Sequence, residues 1–350
     1  MNRFRSLFTA LAAVLLGLVA GALFMALTGS NPIAGFYYLF RGGLMNLERL
    51  GNTLASATTL TLTGLAVAFA FRTGLFSIGA AGQMLIGGLT ATAIALSIEL
   101  PKPLILPLLL ATSAISGALW ASIPGYLKAR FNVHEVVSTI MMNWIAYWTV
   151  YYTIPAYFKG AFLETESRRI PLYASFRVDW LSGIFKGSYI NLGFFIALIC
   201  VVIVAIILDK TTLGYELKAV GFNRHAAEYA GINVSRNIML ALGISGALAG
   251  LAGATFYLGY SVNMQIGVLP AAGLDGIAVA LLGANNPWGV LASAIFFGIL
   301  HSGKGFMNAM TSIPPEIGDT IIATIIYFAA TGVLFTRLWD TIVRKFKKEA

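Results

Sequence analysis

Five polar side chains interrupt otherwise apolar runs: Asn52, Ser77, Gln83, Asn143 and Asp275. A polar group in hydrocarbon is costly unless it faces a partner or a water-filled cavity. Amides such as Gln83 and Asn143 both donate and accept, which suits a neutral hydroxylated or heterocyclic solute. Gln83, Asn143 and Asp275 are therefore the first candidates for a solute path, with Asn52 and Ser77 as secondary ones. Hydrogen bonding between helices accounts for each of them equally well. Phe76, Trp144, Tyr147 and Trp148 could stack on a ring, or could serve packing and interfacial anchoring. Glu135 is a lesser candidate at a helix start, where the helix dipole favours a carboxylate and Asn132 is the expected cap.

No set of residues suggests catalysis or a metal. The histidines His134, His225 and His301 are far apart, and one cysteine, Cys200, sits in an apolar run. His134-Glu135 resembles the start of a zinc-protease helix, but position 138 is Ser where the second His is needed. Gly298-Ile-Leu-His-Ser-Gly303-Lys304-Gly305 nearly matches a phosphate loop. Gly305 stands where a Ser or Thr must ligand magnesium, and no strand precedes it. The chain thus has no ATP site of its own and is not expected to be an enzyme.

The elements carrying these residues are apolar. Of 350 residues, 58% are hydrophobic and 11% are Asp, Glu, Lys or Arg, against about 25% charged in soluble domains. The 37 glycines fit closely packed membrane helices. The net charge of +9 is spread between apolar segments and forms no basic stripe, so nucleic acid is not an expected partner. The run from Leu7 to Leu27 is longer than a signal-peptide core of about 7–15 residues and is expected to be a retained helix.

The pattern predicts an all-α polytopic membrane protein with about ten transmembrane helices, some of them broken. The expected spans are 7–27, 51–71, 75–98, 103–127, 135–156, 189–208, 237–260, 270–284, 288–307 and 317–336. The span 270–284 is short. No linker divides the chain, so 1–350 reads as one domain. Its appendages are an interfacial aromatic stretch within 28–50, an outer loop at about 157–188, a cytosolic connection at about 209–236 and a basic tail at 337–350. With both termini in the cytosol, fourteen Lys and Arg fall inside and nine outside, five of the nine in the one long outer loop. That bias follows the positive-inside rule. Two segments, one beginning at Phe76 and one at Gly273, are alike in small residues and would run in opposite directions. They suggest an inverted repeat, with substrate sites at its interface. Gly17-xxx-Gly21 and Gly246-xxx-Gly250 read as packing motifs.

The cytosolic connection is the informative one. Asn223 can cap a helix that Gly231 ends, leaving about two turns faced with alanine. Its pattern, Gly214-Tyr-Glu-Leu-Lys-Ala-Val-Gly221-Phe-Asn223-Arg-His-Ala226-Ala227-Glu228-Tyr-Ala-Gly231-Ile-Asn-Val, followed by Ser245-Gly-Ala-Leu-Ala-Gly-Leu-Ala-Gly253, resembles the permease subunits of bacterial ABC importers. That family includes branched-chain amino acid, ribose and nucleoside permeases. Asn52-Thr-Leu, Gly74-Leu-Phe-Ser-Ile-Gly-Ala-Ala-Gly-Gln-Met, His134-Glu-Val-Val-Ser-Thr-Ile-Met-Met-Asn143 and Gly273-Leu-Asp-Gly agree in order, so the resemblance covers roughly residues 50–300. The Gly-Gln-Met and Met-Met-Asn blocks are most similar to the nucleoside, or simple-sugar, branch. His134 departs from the Asn more usual there.

The resemblance implies a nucleoside permease, with ribose or another sugar as the alternative, in a bacterial cytoplasmic membrane. It also implies a second, related permease chain, a cytosolic ABC ATPase that uses ATP and magnesium, and an extracellular or periplasmic binding protein. Gly221, Asn223, Ala226, Ala227, Glu228 and Gly231 would couple to the ATPase, with Ala227 on the docking face. Two other classes compete. An ion-driven transporter needs paired intramembrane charges, and only Asp275 lies well inside a span. An intramembrane lipid enzyme needs clustered acids or histidines, which the sequence separates.

Overall fold

A computed structural model describes residues 2–160 and 163–331, with side chains from Thr9 onward. The described residues form fourteen α-helices. They are α1 (Asn2–Leu27), α2 (Pro32–Leu44), α3 (Leu47–Arg72), α4 (Ala80–Ser97), α5 (Lys102–Phe131), α6 (Glu135–Tyr157), α7 (Asp179–Ile184), α8 (Gly193–Lys210), α9 (Thr212–Phe222), α10 (Arg224–Tyr229), α11 (Val234–Thr255), α12 (Ala271–Leu282), α13 (Pro287–Thr311) and α14 (Glu316–Ala330).

Seven of them, α1, α3, α4, α5, α8, α11 and α13, are long and apolar enough to cross a bilayer. The other three expected spans are of different kinds. α6 has the length, at 23 residues, but its tryptophans and tyrosines dilute its apolar character. α12 has 12 residues, about 18 Å at 1.5 Å per residue, against a hydrocarbon core of about 30 Å. α14 is described for 15 residues. The expected basic tail at 337–350 lies outside the described residues.

Two boundaries differ from the sequence reading for a physical reason. The span expected from 75 becomes helical only at Ala80, because Gly74 adopts a left-handed φ of 72° and turns the chain. Likewise α11 loosens into a π-helical turn over Phe256–Ser261, and the chain stays irregular to Pro270. Both breaks lie on the N-terminal side of a short helix, α4 and α12 respectively.

The cap expected of Asn132 is supplied by His134, whose Nδ1 accepts from the Val136 N–H at 3.3 Å. Asn132 instead takes a left-handed φ of 51° to close α5. Lys128, in the last turn of α5, then meets Glu135 at 2.9 Å with both side chains 10% exposed. The aromatic stretch expected to lie at the interface is α2, which buries Leu39, Gly42 and Gly43 and packs along α13.

Packing partners exchange between the two halves. α11 packs on α4 and α5, while α3 packs on α12 and α13. α6 lies on α4 as α14 lies on α12, and the pairs α3–α11 and α4–α12 touch each other. A two-fold relation between residues 47–157 and 234–330 gives this pattern, with α3 buried at the centre from Ala57 to Ala70.

Small residues set the spacing. A Cβ on Gly250 would overlap the Ser113 carbonyl oxygen, and one on Gly246 would overlap Gly117. The α5–α11 crossing is therefore nearly backbone on backbone. Gly17 and Gly21 instead leave room for the side chains of Ile325 and Ile321 of α14.

Gly250→Val forces this crossing apart and should cost about 1–3 kcal/mol, read as a lowered unfolding temperature of the purified protein. Gly183→Ala, where an added Cβ meets nothing within 4 Å, should leave it unchanged.

Candidate functional site

The break before α4 is held by three side chains from the sequence prediction and its surroundings. Asn143 Nδ2 donates to the Ile78 carbonyl at 2.9 Å, and Asn143 Oδ1 accepts from the Gly82 N–H at 2.8 Å. Thr139 Oγ1 accepts from the Ile78 N–H at 3.3 Å. Ser77 is buried, and its Oγ accepts from the Gly79 N–H at 3.4 Å. Gln83 is buried in the next turn, with Oε1 lacking a hydrogen-bond partner. Ser77, Gln83 and Asn143 thus lie together between α4 and α6, and the backbone occupies Ser77 and Asn143 but not Gln83 Oε1.

Asn52 and Asp275 lie elsewhere, on adjoining cavities of about 290 and 300 Å³ between α3, the π-turn and the starts and ends of α12 and α13. Both volumes sit at the lower edge of the range of about 300–1,000 Å³ usual for small-molecule sites. The first cavity is bounded by Ser56 and Thr59 of α3, Phe256 and Tyr260 of the π-turn, Asp275, and His301. The second shares Tyr260, His301 and Lys304 and adds Arg49, Asn52 and Tyr189. His301 Nε2 approaches Asp275 Oδ2 to 3.3 Å but is not aligned for a hydrogen bond. Lys304 is tied to Asp319 at 2.6 Å.

One wall of these cavities is aromatic. Phe256 and Tyr260 stack at 5.5 Å between centroids and 22° between planes, and Tyr189 follows at 5.5 Å from Tyr260. The π-turn brings the first two rings onto one face, a geometry the sequence does not announce. Arg177 fixes the wall from the 157–188 loop. Its guanidinium donates to the Gly259 carbonyl at 2.7 Å and to that of Tyr260, and lies 5.0 Å from the Tyr189 ring. Burial lowers the Arg177 pKa from its usual value. Asn52 completes the mouth by accepting from the Tyr189 N–H at 2.9 Å.

A cavity flanked by broken helices in a polytopic membrane protein is a transport geometry, and the sequence comparisons give its lineage. Residues 49–330 match the family described as branched-chain amino acid transport system / permease component. The chain belongs to this permease family. It is 43% identical over 333 residues, 95% of each chain, to the guanosine ABC transporter permease protein NupP of Bacillus subtilis. It is 40% identical over 338 residues to the nucleoside ABC transporter permease protein NupB of Lactococcus lactis, covering 94% of this chain and 92% of that one. Against the glucose ABC transporter permease protein TsgB13 of Haloferax volcanii the identity is 28% over 340 residues, 94% of this chain and 88% of that one. No solved structure matches it. The chain is therefore a multi-pass transport subunit rather than an enzyme.

The permease carries its second site at the other end of α8. Asn223 caps α10 by accepting from the Ala226 N–H at 3.1 Å, and Gly231 ends it with φ 82°. Asn223, Ala226, Glu228 and Gly231 are exposed. Ala227 points inward and is 3% exposed, which corrects its expected place on a docking face. It supports the helix that presents the others. The exposed apolar surface comes instead from Phe222 and Tyr229, at 92% and 96% exposure.

Gly221 abuts the Arg72 carbonyl and the Thr73–Gly74 backbone, leaving no room for a Cβ. Arg72 Nε in turn donates to the Asn285 carbonyl at 2.9 Å, in the turn after α12. The α9–α10 surface thus touches the break before α4 directly, and reaches the end of α12 through one side chain.

Removing Arg177 leaves two buried carbonyls without their charged donor, worth about 1.5–3 kcal/mol. Arg177→Ala should accelerate hydrogen exchange across Phe256–Val262 by about tenfold or more, while amides of α3 keep their protection.

Proposed function

We propose that this permease forms half of the translocation pathway of a bacterial ABC importer for nucleosides. The carrying observation is the near full-length likeness to permeases described for guanosine and for nucleosides, closer than the likeness to a glucose permease. The site's chemistry supports the same reading, because an aromatic wall facing hydroxyl, carboxylate and imidazole groups suits a ring joined to a polyol. A simple-sugar permease would use the polar wall alone.

A second permease chain completes the pathway, and an extracellular or periplasmic binding protein delivers solute to the face bearing the 157–188 loop. An ABC ATPase, binding ATP and magnesium itself, docks on α9–α10. Phe222 and Tyr229 are its anchors here, since large exposed apolar side chains flanked by polar residues mark protein contacts. Exposed Asn223, Ala226, Glu228 and Gly231 form the rest of that surface, with Gly221 behind it passing movement to Arg72–Gly74. The work is done by the difference in affinity of the docking surface for two ATPase states, which biases a two-state element. Within the pathway, Asn52 and Asp275 face solute, whereas Ser77, Thr139 and Asn143 hold the break before α4 in shape, with Gln83 buried beside them.

In cells lacking this chain, uptake of labelled guanosine should fall to background and return with the gene, while ribose uptake is unaffected. The opposite result assigns the permease to sugars. In the assembled complex, Phe222→Ala or Tyr229→Ala should weaken retention of the ATPase about tenfold. Arg72→Gln should retain the ATPase and its hydrolysis but lower solute transported per ATP several-fold.

A further inference from the structure

Resting on the nucleoside reading, we infer that the permease has its own ribonucleoside subsite, in which the base stacks on Tyr260 and the ribose hydroxyls meet Asp275 and His301. Transport does not require such a subsite; a pathway could be an unselective channel behind a selective binding protein. Three independent features argue otherwise.

The first is the aromatic wall. Phe256 and Tyr260 both border the cavity of about 290 Å³, already stacked and braced by Arg177. Rings fixed before binding lose little conformational entropy when a base lands on them. The second is the opposite wall. Asp275 and His301 are 3.3 Å apart, yet His301 Nε2 has no aligned acceptor, and neither side chain has another polar partner among the described residues. A carboxylate accepts from the two vicinal hydroxyls of a ribose, as acidic side chains do in dinucleotide sites. A ribose hydroxyl would satisfy His301 as well, accepting from Nε2 when that nitrogen carries a proton and donating to it when it does not. The third is the start of α12. No side chain caps its first turn, and Pro270, Ala271 and Ala272 border the cavity. Its N-terminal end can face a base carbonyl or a sugar oxygen.

The same groups define what is refused. Asp275 disfavours a nucleotide phosphate by charge. Lys304 is already engaged by Asp319. A free sugar leaves the rings uncovered, and a free base leaves Asp275 and His301 unmet. The ligand class is therefore an uncharged ribonucleoside.

The test uses the full complex of permeases and ATPase, purified without its binding protein, with 8-azidoguanosine as photoprobe. The wild-type complex should be labelled within Phe256–Ser261 or the adjoining α13, with protection by guanosine and none by equal ribose. Tyr260→Leu should reduce labelling at least tenfold, and Tyr260→Phe should retain it. Asp275→Asn should reduce protection by guanosine about tenfold more than protection by 2′,3′-dideoxyguanosine. Labelling elsewhere, or labelling indifferent to Tyr260→Leu in a complex that imports guanosine once its binding protein is restored, overturns the subsite and leaves the nucleoside function standing. A wild-type complex that imports ribose and not guanosine overturns both.

Discussion

Irregular backbone at membrane depth is tolerated only where protein groups or cavity water replace the lost helical hydrogen bonds. Two of the irregular stretches among the described residues, 73–79 and 256–270, precede helices of the bundle, and side chains of neighbouring elements satisfy both. At the first, Asn143 supplies both a donor and an acceptor to the backbone. At the second, Arg177 donates to the Gly259 and Tyr260 carbonyls, and Ser175 Oγ donates to the Leu258 carbonyl at 3.1 Å. Ser167 serves the far side of the second break, accepting from the Met264 N–H at 2.9 Å. Backbone bonds join the outer loop to the same break: the Ser167 and Ile170 N–H groups donate to the Met264 and Val262 carbonyls, and the Ile266 N–H donates to that of Thr165.

The two breaks have different surroundings although the packing around them is related by exchange of partners. The break before α4 meets the α9–α10 surface through Gly221. The break before α12 opens the cavity. Between them α3, α4, α11 and α12 touch at small residues, as where Gly273 of α12 meets the backbone of Ala81. Such contacts have little side-chain slack, so a displacement of one helix is passed on rather than absorbed. Arg72 adds a polar tie from the end of α3 to the turn after α12.

How much of this was legible in the sequence depends on period and scale. The long helices were legible because each must be apolar over its own length, and residues 51–71 or 103–127 show that directly. The capping of α10 by Asn223 and its end at Gly231 were legible because both rest on local backbone chemistry. The division of the five polar candidates was not. Asn143 and Asp275 look alike in sequence, as single polar residues in apolar runs. Only the fold shows that Asn143 spends its groups on a neighbouring turn while Asp275 keeps a free face toward a cavity. Tyr260 and Phe256 were missed because four-residue spacing of aromatics reads as ordinary packing. The π-turn that makes them one wall has no sequence signature, though Arg177, a half-buried cation in an outer loop, belongs to the same structure. Ala227 was misplaced because a small residue fits a docking face and a packed one equally well.

The separation of the two ends is what the gating argument needs. A site that both bound solute and received force would have its chemistry distorted by every stroke. Here Asp275 lies in the second turn of α12 and Asn285 follows its C-terminal end, about ten residues or 15 Å apart along the helix. Under the coupling proposed above, a shift of Arg72 would reach the cavity as movement of a short helix rather than as a local rearrangement. The opposite wall is held separately by Arg177, on the loop side. Changing the separation of the two walls would then change the site without changing its residues.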